Sequence, residues 1–164
     1  MLQFERANVQ GNGYPSALHA KIAAQIMPSD FANLVEHDPD PQFRGRALFD
    51  FGYVVAPEVT FPVLARLVQN DPHWNVRLGA LFSVQAALGA GRLKRRKAEA
   101  EQLGLTCIDK PVLRIEAIVI LSYCHDQKAR RALESIIRHD KDANIRAFAK
   151  KALLGQVGPG IKGP

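Results

Sequence analysis

The sequence predicts an all-α protein: an α-solenoid of about four helical hairpins in one domain. Three observations carry this. An Arg preceded by an apolar residue and followed three places later by Ala occurs four times, as Phe43-Arg44…Ala47, Val76-Arg77…Ala80, Leu113-Arg114…Ala117 and Ile145-Arg146…Ala149. The Arg-to-Arg steps are 33, 37 and 32 residues, the period of a helical repeat array. In three units an Asp stands six residues before the Arg, at Asp38, Asp71 and Asp140.

The elements follow in chain order. Residues 1–14, with Gly11-Asn12-Gly13, read as a flexible segment. A first helix is expected over 16–27, with Pro28-Ser29-Asp30 ending it and capping the next. Three helical stretches then close on the repeated Asp: Phe31 to His37, Phe61 to Asn70 and Ala129 to His139. Each ends near paired aliphatics: Leu34-Val35, Leu67-Val68 and Ile136-Ile137. The Asp falls in a short turn, twice beside Pro, where it can accept from the free N–H groups of the next helix.

The helices after these turns carry apolar residues at steps of four, four and three. These are Phe43, Ala47, Phe51 and Val54; Val76, Ala80, Val84 and Ala87; Leu113, Ala117, Leu121 and Cys124; Ile145, Ala149 and Leu153. Such spacing keeps one stripe on one helical face, and the recurring Ala lets neighbouring helices approach. The repeat domain is expected over 15–154. The stretch 155–164, with four Gly and two Pro, reads as a flexible tail.

The third unit departs from the pattern. Gly89-Ala90-Gly91 ends one helix, and Arg92-Leu93-Lys94-Arg95-Arg96-Lys97 follows. This run and the residues to Leu103 are expected to form a helix with a thin stripe of Leu93, Ala100 and Leu103. Arg95–Glu99 and Lys97–Glu101 would be i,i+4 pairs on its solvated face. Ile108 stands where the Asp belongs, with Asp109 one residue late.

The Asp, Arg and Ala pattern resembles the HEAT repeat, and most closely the short bacterial HEAT-like repeats of phycobilisome lyase subunits. The resemblance covers about residues 29–154. It implies a right-handed superhelix in which Asp and Arg side chains form a structural ladder. Carried over, Asp38, Arg44, Asp71, Arg77, Arg114, Asp140 and Arg146 are its members. The expected interruption is at Arg114, which lacks its Asp.

Composition narrows the function classes. The chain has 164 residues, no apolar run long enough to span a bilayer, and no N-terminal pattern of a secretory signal. Its two cysteines, Cys107 and Cys124, lie among apolar residues and read as buried free thiols of a cytoplasmic protein. Net charge is +6, divided as −2 over residues 1–91 and +8 over 92–164. Catalytic chemistry has thin support. His37-Asp38, His125-Asp126 and His139-Asp140 are neighbours in sequence and point apart, and two of the three His stand at helix C-termini, where a cationic ring is favoured. There is no His-Glu pair, no zinc spacing, no phosphate loop and no nucleophile elbow. No cofactor, metal or small molecule is implied.

Candidate binding residues are the basic run Arg92, Lys94, Arg95, Arg96 and Lys97, joined by Lys128, Arg130 and Arg131 in the same basic half. Trp74, the only Trp, either plugs the junction between units, the favoured reading, or anchors a partner. The leading functional expectation is a non-enzymatic protein–protein adaptor. The alternatives are nucleic-acid backbone binding through the basic half, and a lyase-type enzyme subunit or maturation factor.

Overall fold

The computed structural model describes residues 21–22 and 24–157. The segment 1–14, half of the expected first helix (16–20 and 23), and residues 158–164 of the expected tail lie outside the described residues; residues 24–26, expected near the end of that helix, are turn and bend. Eight helices run through the described part: α1 Pro28–His37, α2 Pro41–Phe51, α3 Pro57–Asn70, α4 Trp74–Gly89, α5 Lys97–Cys107, α6 Arg114–Cys124, α7 Gln127–His139 and α8 Ala143–Leu153. No strand occurs among the described residues. None of the described helices is long and apolar enough to cross a membrane.

The ends of α1, α3 and α7 fall at His37, Asn70 and His139, the residues before the repeated Asp. Their starts lie two to four residues earlier than the apolar pattern indicates, because Pro28 and Pro57 open two of these helices and Asp126 caps the third. Asp30 does not cap α1. It lies inside the first turn, where its charge complements the helix dipole.

The helices pack as consecutive pairs: α1 on α2, α3 on α4, α5 on α6 and α7 on α8. Each even-numbered helix touches the next one, from α2 to α4, α6 and α8. Among odd-numbered helices, α1 touches α3, and α5 touches α7. The core lies between the two rows. Val35, Leu48, Leu64, Val68, Leu81, Val84, Ile118, Ile120 and Leu121 are fully enclosed in it. Ala80, Ala117 and Ala149 of the repeat are also fully buried, as helix contact at those positions requires. Closeness is greatest between α2 and α4. A methyl on Gly79 would lie 2.8 Å from the Gly45 carbonyl oxygen, so these backbones meet without side chains between them. Ser83 fixes the same junction by donating to the Leu48 carbonyl at 2.8 Å.

The basic run is the largest departure from the expected elements. It is not helical. Gly91, at φ +68°, closes α4 with a paired bond set: its N–H donates to Leu88 O and the Arg92 N–H to Ala87 O. This left-handed Gly termination stops the helix and redirects the chain. Leu93 is buried, but from a loop rather than a helix stripe. The expected Arg95–Glu99 and Lys97–Glu101 pairs do not form, because Arg95 precedes the helix and Glu101 turns inward. Arg96 takes Glu99 instead, at 2.8 and 3.0 Å.

Candidate functional site

The turns between paired helices are built alike. In each Asp-bearing turn the carboxylate accepts a backbone N–H two residues on: Asp38 from Asp40, Asp71 from His73, and Asp140 from Asp142, at 2.8–2.9 Å. The helix cap proper lies two residues later than the sequence places it, at Asp40 and Asp142, which accept from Gln42 and Asn144. The Arg that follows then reaches back to the carbonyl six residues before it. Arg44 donates to Asp38 O, Arg77 to Asp71 O, Arg114 to Ile108 O and Arg146 to Asp140 O, at 2.7–3.0 Å. Ile108 therefore occupies the Asp position in space as well as in sequence.

The second half of each Arg's role differs. The Arg44 guanidinium grips the Asp71 carboxylate of the next turn at 2.9 and 3.2 Å, and both side chains are buried, at 8% and 9% exposure. Arg114 pairs with Asp140 of the next turn at 2.5 Å. By the register of the other turns, the forward partner of Arg77 would stand at position 108, which is Ile108 and offers no carboxylate. Arg77 makes two hydrogen bonds to carbonyls, Asp71 O and Pro72 O, and no ion pair among the described residues. Asp109, exposed in the same turn, does not replace the missing partner. The interruption expected at Arg114 thus falls at Arg77. Each Arg reaches forward, so an absent Asp disarms the unit before it.

The third turn is also the longest. It takes residues 108–113, where each of the other three takes three residues. Val112 within it is 49% exposed. Trp74, the first residue of α4 just after the second turn, is 56% exposed. The expectation that Trp74 plugs the junction is wrong: Asn75 does that work, donating to the Pro41 carbonyl at 2.7 Å, while Trp74 stands outside the contact. Phe43, expected on the inner stripe, is 37% exposed in the first turn of α2.

The basic candidates fall into two groups. Arg92, Lys94, Arg95 and Lys97 are exposed, and Arg96 is half-buried. The run docks on α3: the Arg95 N–H donates to Glu58 at 2.9 Å, and the Arg96 guanidinium lies 5.8 Å from the Phe61 ring centroid. Lys128, Arg130 and Arg131 are exposed on α7, where Arg130 pairs with Glu134. Lys128 and Lys97 each lower the Glu101 pKa against the larger effect of burial. Trp74 does not join them. It begins the 16-residue α4 whose far end leads into the basic run, a separation of about 22 Å along the helix.

Glu101, expected on the solvated face as the partner of Lys97, is buried instead. It is 8% exposed, and its Oε1 has no hydrogen-bond donor within reach. Burial raises its pKa, and the neighbouring Asp126 adds to this. Asp126 is shifted down, chiefly by a hydrogen bond from Glu101. The opposed directions make Glu101 the more readily protonated of the two carboxyl groups. The only signal in the sequence is adjacency to Ala100 on the inner stripe.

His37 and His139 are exposed last residues of their helices, and His125, at φ +58°, terminates α6. Cys107 and Cys124 are buried free thiols; burial pushes Cys124 up to about 12, far from a reactive thiolate. No group of three or more metal-ligating side chains occurs among the described residues. No protein family, curated protein or solved structure matches the chain.

Proposed function

We propose that this chain is a non-enzymatic binding module: a short right-handed solenoid of about four HEAT-like hairpins whose turn edge receives a protein partner. The recurring Asp turn, the carbonyl-seeking Arg and the row-on-row helix contacts support the solenoid reading. The observation that carries the protein-binding reading is Trp74. A single Trp left 56% exposed, on an edge that also exposes Phe43 and Val112, is the residue type that dominates interface energetics. Trp74 and Phe43 belong to the half of the chain with net charge −2, and Val112 to the basic half.

A second reading, phosphate-backbone binding, is favoured by the exposed cations Lys94, Arg95, Lys97, Lys128 and Arg131, which form no ion pair among the described residues. Affinity capture from the native organism separates the two, run with and without nuclease and with Trp74→Ala beside the natural chain. A stoichiometric protein that survives nuclease and is lost with Trp74→Ala supports the adaptor. Capture that nuclease or 200 mM salt abolishes, and that Trp74→Ala leaves intact, supports the second reading.

A further inference from the structure

The open rung at Arg77 gives the chemistry of the partner, on the premise that the turn edge is the binding edge. The protein contains its own templates. At Arg44 and at Arg114, one guanidinium edge holds a carbonyl of its own turn and the rest takes a carboxylate from the next turn. At Arg77 the first half is intact, with Asp71 O at 2.8 Å and Pro72 O at 3.1 Å. The carboxylate half is vacant, because position 108 is Ile. Arg77 is half-exposed, so a group from outside can reach it.

Exposed apolar side chains stand at the same turns. Trp74 lies one turn before Arg77 on α4, the spacing at which helical side chains are neighbours. Val112 is exposed in the third turn, which would have supplied the missing Asp. Two carbonyl bonds bias Arg77 toward its own turn, so its remaining donors have a preferred direction, the arrangement that favours planar carboxylates. We infer that Arg77, Trp74 and Val112 form a docking site for a partner peptide that inserts one Asp or Glu carboxylate beside an apolar side chain, completing the ladder in trans.

The test is a selection of random amidated heptapeptides on the whole chain, followed by titration of the winners. Amidation removes the terminal carboxylate as a substitute. Trp74, as the only Trp, reports binding by its fluorescence. Enriched peptides should share one Asp or Glu next to an apolar residue, and should shift that fluorescence. Changing the acid to its amide should weaken binding at least about tenfold, the scale of a charge-assisted hydrogen-bonded pair. Ile108→Asp, which supplies the carboxylate internally, should weaken binding by a similar factor. Arg77→Gln should do so too, and serves where Ile108→Asp lowers the folded population.

Failure of any peptide to enrich overturns the inference. So does enrichment of peptides without an acid, or binding that is indifferent to both substitutions. Acid-rich peptides that bind Ile108→Asp and Arg77→Gln unchanged, but are lost with Lys94→Glu and Lys97→Glu, would leave protein binding standing and move it to the basic loop. Duplex DNA bound in preference to every peptide would overturn both this inference and the reading beneath it.

Discussion

The turn pairs 1–2 and 2–3 start from the same backbone device and end differently. Between the first and second turns, Arg44 and Asp71 close a buried ion pair. Between the second and third, Arg77 makes the same carbonyl bond, but the next turn has Ile108 at the Asp position and no ion pair closes among the described residues. The difference teaches that each Arg does two separable jobs. One is local, tying its own turn to its helix. The other is between units, and a single residue in the next turn removes it.

The largest effect should come from breaking the closed rung. Asp71→Ala strands the Arg44 guanidinium, whose Nε is already buried without a partner. Loss of one member of a buried pair costs about 3–5 kcal/mol, so the denaturant midpoint should fall steeply. Gly79→Ala should come next. Its methyl would press on the Gly45 carbonyl at 2.8 Å and spread α2 from α4, the helices that follow the two turns of the closed rung. Overpacking of this kind costs about 1–3 kcal/mol, read from the thermal midpoint. Arg77→Ala should cost least of the three, about 1 kcal/mol for hydrogen bonds to partly solvated carbonyls. An Arg77→Ala loss as large as that of Asp71→Ala would erase the distinction between the rungs.

Glu101 offers the opposite comparison, a buried carboxyl facing another carboxyl instead of a guanidinium. Its folded pKa is raised, so the proton is held more tightly in the folded state. The stability it contributes is present below the ordinary Glu range and is lost as pH rises through the folded value. Glu101→Gln keeps a donor for Asp126 and cannot ionise. Its thermal midpoint should exceed that of the natural chain at pH 7 and match it near pH 4. Equal midpoints at both pH values would show that Glu101 is not the proton holder.

Much of the fold is legible in the sequence. The helix ends at His37, Asn70 and His139 follow from the Asp and Pro turns, and the stripes of Val76, Ala80, Val84 and Ala87 or of Leu113, Ala117 and Leu121 lie where burial demands. The basic run was misread because charge and helix propensity both permit a helix there, while Gly91 imposes a left-handed stop that neither measures. Trp74 was misread because burial of a helix's first residue depends on the neighbouring turn, which periodicity does not encode. The site was half-legible. Ile108 in place of Asp is plain in the sequence, but only the forward reach of Arg44 to Asp71 shows that the consequence falls on Arg77 rather than Arg114.

The central claim is that Arg77 is an unfilled rung. A double-mutant cycle between Arg77→Gln and Ile108→Asp tests it most directly, with stability read by denaturant unfolding. The account predicts that Ile108→Asp is less costly with Arg77 present than with Arg77→Gln, by about 1 kcal/mol or more of favourable coupling. Coupling near zero would mean that no carboxylate place exists beside Arg77, and would contradict the account.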